Sequence, residues 1–270
     1  MLANRLFSNL MIAPPMETWI PDLLMRFDQM AMEAFHSVQP IQKEDGSVVT
    51  RIDQEVSKLA KSLVLKHSPQ DGLISEEDPW PWQIDATRVW VLDPIDGTAS
   101  FVRGFPVWGL GLGAIVNSVP AEGHLSFPAI GNRYSCEDGN IFINGQPHTP
   151  IAEPEMQDIR NVLVGSTTHD VLPLNQLHGI KLRNFGSHLF HLLSVGLGQA
   201  EAMIAPPCKL WDPAAALPFS RARGCVERYV DGQAFDVGEI LLGDDPEYKT
   251  PKPLVIGSPR QVEELLNRLS

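Results

Sequence analysis

The sequence predicts a layered fold of the α/β or α+β class. Three features of its texture carry that expectation: amphipathic helical spacing near the start, a run of short β-rich segments through the middle, and alternating strand and helix toward the end. At 270 residues the chain suits one large domain, or two halves that share one core.

The N-terminal stretch MLANRLFSNLMIAPPMETW has a single Arg and a broken apolar run, so it reads as a capped helix rather than a signal peptide. ETWIPDLLMRFDQMAMEAFH then sets Leu23, Leu24, Phe27, Met30, Ala31 and Ala34 on one helical face, with Pro21 suited to a first turn. DQEVSKLAKSLVLKH repeats the pattern through Val56, Leu59, Ala60, Leu63 and Val64, and Asp53 stands where an N-cap would. GLISEE, RVWVLD, VWGLGLGAIV and EGHLSFPA follow as short strands broken by Gly, Pro and Asn. NIFINGQP adds a strand and a turn at Asn144-Gly145. Prolines and acidic residues in PIAEPEMQD mark a joint between halves 1–152 and 153–270 of one domain. Beyond it, NVLVGS and EAMIA read as strands. SHLFHLLSVGLGQA, the segment from WDPAAALPFSRAR onward and VEELLNRL read as helices, with Leu189, Leu192, Leu193 and Leu197 on one side of the first.

Composition narrows the function. The chain is 43% hydrophobic and 20% charged, as in ordinary globular proteins. Its formal net charge of −12, without basic stripes, disfavours nucleic acid. The same charge disfavours anionic substrates unless bound cations reverse the local field. The 3 cysteines have no CxxC spacing and suit free thiols in a reducing compartment. No apolar run is long enough to span a bilayer, so the expectation is a cytoplasmic protein without a membrane partner.

Four acidic motifs sit where a strand or loop meets a helix or turn: EDGSVVTRID ending in Asp53, LISEED with Glu76 and Glu77, WVLDPIDGTASF with Asp93 and Asp96, and LWDPAAA with Asp212. Taken singly, the D-P-x-D is a turn, the Glu pair a solvated pair, and Asp212 an N-cap. Their conjunction says more, because Asp93 and Asp96 cannot both ionise in a partly buried site without compensation. A hard divalent cation supplies it. Mg²⁺ takes oxygen ligands, and no His/Cys set has zinc spacing. Pro94 fixes the backbone so that the Ile95 carbonyl can join the aspartates. Gly97 permits close approach, and Thr98 opens a short helix whose free N–H groups favour an anion. Cations beside an anion-binding helix start point to phosphate chemistry.

WVLDPIDGT, the upstream SEED and the downstream WDPAAA resemble the inositol monophosphatase family of metal-dependent, lithium-sensitive phosphatases. The likeness runs from KEDGSVVTRID to GSPRQVEELL. It implies a layered αβαβα sandwich, a homodimer, and two or three Mg²⁺ ions acting on a small phosphomonoester. It implies Glu76, Asp93, the Ile95 carbonyl, Asp96 and Asp212 as metal ligands. Thr98 with Asp53 would orient the attacking water, and the Gly97 and Thr98 N–H groups would receive the phosphate. Lys43 would help close the site, with Glu77 beside it. Asp212 would stand at the leaving group.

The departures concern the substrate. Inositol-specific members hold a sugar hydroxyl with a glutamate where Ala205 stands here. The family's G-T/S-A segment appears as Gly186, Ser187 and His188, with His188 in place of a small pocket residue, and Lys209 is a further pocket candidate. GTASFVRGFPVWG and LSFPAIGNRYS look closer to histidinol-phosphate and phosphoadenosine phosphatases of the same superfamily, so these and fructose bisphosphate stand as alternatives to inositol monophosphate. A phosphatase with an Asp nucleophile would need D-x-D-x-T, not D-x-x-D. A non-catalytic metal-binding regulator would be expected to have lost a ligand, and none is missing.

Other features read as structural. Gly109, Gly111 and Ala114 match a dinucleotide fingerprint but belong to a strand without the required helix. His188 and His191 lack a third metal ligand. Trp80 and Trp82 would cover the site's edge or pack a loop.

Overall fold

The computed structural model describes residues 17–43, 46, 48–152 and 161–269, with the backbone alone for 79–82. The expected helix over the first sixteen residues, most of the expected joint, and the side chains of Trp80 and Trp82 lie outside the described residues.

The chain opens with α1 (Trp19–Ala34), a small hairpin of β1 (Ile41–Gln42) and β2 (Val48–Val49), and α2 (Arg51–His67). A run of strands follows: β3 (Gly72–Ser75), β4 (Asp78–Trp82) and β5 (Arg88–Asp96), then the short α3 (Thr98–Arg103). The run resumes with β6 (Gly109–Val116), β7 (Val119–Phe127), β8 (Asn132–Glu137), β9 (Asn140–Ile143) and β10 (Gln146–His148). The second half contains β11 (Asn161–Val164), α4 (Thr168–Val171), a 3₁₀ turn (Leu174–Gln176), β12 (Lys181–Arg183), α5 (His188–Gly196) and β13 (Ala202–Ala205). It closes with α6 (Trp211–Ala214), α7 (Leu217–Ala222), β14 (Val226–Tyr229), α8 (Val237–Leu241), β15 (Leu254–Gly257) and α9 (Pro259–Leu269).

These elements stack in five layers. Among the described residues, β3 to β10 form an 8-stranded sheet in the order β10-β9-β8-β7-β6-β5-β3-β4, with β3 and β5 parallel. The strands β11 to β15 form a 5-stranded sheet in the order β12-β11-β13-β15-β14. Helices α1 and α2 cover one face of the larger sheet, where Trp19, Leu23 and Phe27 pack on Trp90, Leu92 and Leu112. Helices α5, α6 and α7 fill the space between the sheets, with Leu189, Leu192 and Phe219 against Val91, Leu125 and Met203. Helix α9 closes the outer face of the smaller sheet through Val262 and Leu265. The result is the expected αβαβα order, and each fully buried large side chain contributes about 1.5–3 kcal/mol relative to exposure.

The glycines of VWGLGLGAIV account for how closely the middle helices approach. On β6 the leucines face α1 and α2, and the glycines face the opposite way. A Cβ on Gly111 would lie 2.3 Å from Leu189 Cδ1, and one on Gly113 would lie 2.8 Å from the backbone of Ala214. The run is thus a strand with one bare face, and that face lets α6, the carrier of Asp212, sit directly on the sheet.

Sequence and structure differ on boundaries. Asp53 is not the N-cap of α2: Thr50 is, and Asp53 is the third residue of a capping box. The segment expected as one helix from WDPAAALPFSRAR is two short helices, α6 and α7. Strands β8, β12, β14 and β15 were not expected, being short and lacking clear alternation. The hairpin at Asn144-Gly145 is as expected, with φ of 51° and 75° that suit Asn and Gly.

Candidate active site

Every acidic motif from the sequence converges on one end of the larger sheet, where β3 and β5 finish, and this end forms the edge that carries the site. Strand β3 delivers Glu76, whose N–H donates to the Leu92 carbonyl at 3.2 Å and pins it beside β5. Strand β5 delivers Asp93 and Asp96, 2% and 7% exposed, across an irregular register opposite Gly111 and Gly109. Gly97 turns the chain with φ +81°, and a Cβ there would lie 3.0 Å from the Gly186 carbonyl oxygen and 3.1 Å from that of Val107. Only glycine fits. Helix α3 then starts at Thr98.

Asp53 enters from α2. Its Oδ2 accepts from the Thr50 hydroxyl at 2.5 Å and from the Thr50 N–H at 2.8 Å. This leaves Oδ1 directed at Thr98, whose hydroxyl lies 3.5 Å away. That hydroxyl has one proton and a nearer acceptor, the Ile95 carbonyl at 2.8 Å, so the expected Thr98–Asp53 pair is the longer of its two contacts.

Helix α5 reaches the same point from the other sheet. The Asp96 carboxylate accepts from the Ser187 hydroxyl, from His188 N–H at 3.0 Å and from Leu189 N–H at 3.1 Å. It therefore sits on the helix N-terminus, where backbone donors favour an anion. Ser187 caps the helix by accepting from Phe190 N–H at 3.0 Å. Gly186 has φ +79°, and its N–H donates to Asn184 Oδ1 at 2.7 Å. Asp212 Oδ2 accepts from Lys209 N–H at 2.8 Å and lies 3.7 Å from His188 Nδ1.

Burial without full compensation dominates the electrostatics. Burial pushes the Glu76 carboxyl up to about 7, with Glu77 and Asp212 adding to the rise against the opposing Lys43. It pushes Asp53 up to about 6 in spite of the Thr50 donors. Asp96 rises to about 6, with His188 and Ser187 opposing the rise. Asp93 is driven well above the carboxylate range by burial, and then by Glu76, Asp96, Asp212 and Asp53. Lys43 Nζ donates to Glu76 at 3.0 Å and to Glu77 at 2.5 Å. Burial works to lower the Lys43 ammonium, and the two glutamates outweigh it and raise its pKa.

The donor set fits a hard cation. All its groups are oxygens, they repel one another, and Asp93 Oδ1 is buried with no hydrogen-bond partner. Among the described residues, no three acidic, His or Cys side chains converge tightly enough to cage an ion as they stand. The Lys43 ammonium is the cation the glutamates hold in this arrangement.

The pocket candidates divide. His188 is at the site, its side chain 22% exposed beside Asp212. Ala205 is 2% exposed at the end of β13, behind His188, in a cavity of about 10 Å³ that also touches Cys208 and has room for about one water. Lys209 turns its ammonium to Glu247 at 2.7 Å, near the Trp211 ring.

The positioning roles of three residues are not legible as such in the motifs. Thr50 holds Asp53, and the T-x-x-D spacing of a capping box could have revealed it. Asn184 holds Gly186, which an Asn two residues before a Gly suggests. His191 accepts the Phe185 N–H at 2.8 Å through Nε2, and no local signal marks that contact.

A layered sandwich with carboxylates gathered past the ends of its central strands is a fold and site shared with metal-dependent phosphomonoester hydrolases, and the comparisons with known proteins place the chain among them. The family model for the inositol monophosphatase family matches residues 21–268. The chain is 33% identical over 216 residues to a histidinol-phosphatase of Chlorobaculum parvum, covering 76% of this chain and 82% of the relative. It is also 33% identical over 208 residues to the "Probable inositol 1-monophosphatase ImpA" of Mycobacterium tuberculosis, covering 72% and 75%. A solved IMPase/NADP phosphatase complexed with Mg²⁺ and phosphate shares the fold with a TM-score of 0.78 at 20% identity, covering 92% of each chain. The chain belongs to the inositol monophosphatase family.

Proposed function

We propose that this protein is a Mg²⁺-dependent phosphatase of a small phosphorylated metabolite, with its machinery at the sheet edge where β3, β5, α5 and α6 meet. The observation that carries this reading is Asp93 Oδ1, a buried and unpartnered carboxylate oxygen among four further acids that raise its pKa or share its edge. Glu76, Asp93, the Ile95 carbonyl, Asp96 and Asp212 would hold the ions. Bound Mg²⁺ would polarise the phosphoryl oxygens and lower the pKa of a coordinated water.

The remaining roles belong to the chain. Asp53 Oδ1, the farther of the two acceptors of the Thr98 hydroxyl, would take its proton once the Ile95 carbonyl holds a cation, and the Thr50 donors keep Asp53 in place. Thr98 Oγ1 orients the attacking water. The Gly97 and Thr98 N–H groups face the phosphate. Glu76 helps hold the water, with Lys43 and Glu77 beside it. Asp212 stands on the leaving-group side. Asp96 ties that edge to α5, so Gly186, Ser187 and His188 stay aligned with it.

The substrate reading starts from inositol monophosphate, the default of the family. The alternative is histidinol phosphate: Ala205 stands where inositol-specific members place a hydroxyl-binding glutamate, and a histidinol-phosphatase is among the relatives at 33% identity. Two halves of a single domain, a homodimer and a cytoplasmic location complete the proposal. Among the described residues no helix is long and apolar enough to cross a membrane.

The test is phosphate release from a panel containing inositol 1-phosphate, histidinol phosphate, 3′-phosphoadenosine 5′-phosphate and fructose 1,6-bisphosphate. Release that requires Mg²⁺ and is inhibited by Li⁺ supports the reading. Release that is indifferent to chelator contradicts it.

A further inference from the structure

Asp212 reaches the site from a helix that does little to fix it. Helix α6 has only 4 residues, and its N-cap, Leu210, makes no side-chain hydrogen bond. A single turn of helix is marginal by itself. What aims the carboxylate is the chain before the helix. Lys209 N–H donates to Asp212 Oδ2 at 2.8 Å, and Asp212 N–H donates back to the Lys209 carbonyl at 3.2 Å. The position of Asp212 is therefore as firm as that of segment 208–210.

A second segment, 248–250, holds the first. Strands β13 and β15 pair antiparallel up to Ala205 and Leu254. Pro206, Pro207, Pro251 and Pro253 then interrupt the ladder, because proline has no N–H to donate. Pairing resumes beyond them as an antiparallel bridge between Lys209 and Lys249. Leu210 N–H donates to the Tyr248 carbonyl at 2.9 Å, and Thr250 N–H to the Cys208 carbonyl at 2.8 Å. In a regular ladder Cys208 N–H would complete the pair by donating to the Thr250 carbonyl. The Thr250 hydroxyl accepts it instead, at 2.9 Å. Cys208 and Thr250 are buried, so bulk water does not replace that acceptor. The other tie, Lys209 Nζ to Glu247 at 2.7 Å, ends on an exposed carboxylate and adds little.

We propose that Thr250 is a positioning residue for Asp212, acting through the Cys208–Lys209 peptide. The inference rests on the phosphomonoesterase reading above, in which Asp212 helps hold Mg²⁺. The Cys208 carbonyl and the Lys209 N–H are opposite ends of one planar peptide group. Thr250 N–H binds the first end, and Asp212 accepts from the second. The Thr250 hydroxyl holds the N–H of Cys208, so Thr250 sets both the place and the tilt of that plane. Loss of the hydroxyl leaves the Cys208 N–H buried and unpaired, which favours any shift that finds it a partner. The Lys209 N–H moves with that shift, and Asp212 loses its place beside Asp93 and Asp96.

The experiment titrates Mg²⁺ into the metal-free protein by calorimetry, with folding checked by circular dichroism. Thr250→Val, which keeps the shape and loses the acceptor, should weaken Mg²⁺ binding by about tenfold, as outer partners of metal ligands do. Thr250→Ser, which keeps the acceptor, should bind as wild type does. In an Asp212→Asn background, Thr250→Val should change the affinity by less than about twofold, because the carboxylate it positions is gone. A folded Thr250→Val protein with wild-type affinity, or one that loses the same factor in both backgrounds, overturns the role of Thr250 and leaves the phosphatase reading intact. If Thr250→Val does not fold, Thr250→Ala is read in the same way. A wild type that binds no Mg²⁺ overturns the phosphatase reading, and the role of Thr250 with it.

Discussion

Asp93 is fully enclosed, carries an unpartnered oxygen, and has its charge opposed by four neighbouring acids. Asp93→Asn removes that charge, so in chelator at pH 8 the variant should melt at or above the wild-type temperature. Phosphate release should meanwhile fall by about 100-fold or more, since outer partners of metal ligands already cost about 10–100-fold. A variant that melts lower in chelator would mean that Asp93 is held by contacts of its own. His191 makes a second prediction at this scale. Burial, with His188 adding, lowers its pKa to about 3. The unfolded chain binds this proton near 6.5 and the folded chain does not, so the contribution is present above 6.5 and is lost as pH falls toward 3. It is on the order of a few kcal/mol. Protonating Nε2 would also set it against the Phe185 N–H. Denaturant melts between pH 7 and pH 4 should show a shallower pH dependence for His191→Gln than for wild type.

The site is assembled by elements whose local sequence serves a distant contact. The bare face of β6 admits α6, and through it Asp212 approaches Asp93. Gly113→Ala would place a methyl 2.8 Å from the Ala214 backbone, which cannot rotate away. We expect about 1–3 kcal/mol of destabilisation from overpacking, and a loss of activity larger than that loss of stability explains. Circular dichroism and phosphate release on the same sample separate the two. Thr50→Ala should cost about 1 kcal/mol of stability through the lost cap, and it should lower turnover by loosening Asp53. The sequence was most legible where chemistry and local rules coincide. The D-P-x-D-G-T turn, the Ser187 start of α5 and the Asn144-Gly145 hairpin could each be read from a few neighbouring residues. Asp53 was misplaced as the N-cap because helix starts drift by a few positions until the capping side chain is seen. The glycine face of β6 was recognised as part of a strand, but its partner helix lies about a hundred residues further along the chain. Strands β12, β14 and β15 pair only across the fold, and their sequences carry little alternation of their own.

Across the whole molecule, a chain of net charge −12 gathers Glu76, Asp93, Asp96 and Asp212 at one edge and, among the described residues, sets the Lys43 ammonium on the Glu76–Glu77 pair. Such an edge repels phosphate until cations bind. Two sheets and five layers serve to bring together groups from both ends of the chain, and Asp96 on the α5 N-terminus is the direct link between them. On the proposed function, this edge becomes a phosphate site only with Mg²⁺. The most direct measurement is phosphate release from histidinol phosphate and inositol 1-phosphate across a Mg²⁺ titration, for wild type and Asp212→Asn side by side. Saturable activation of wild type by Mg²⁺ is expected, with no release in chelator and almost none from Asp212→Asn at any Mg²⁺ concentration. Equal rates with and without Mg²⁺, or a fully active Asp212→Asn, would contradict the proposed function.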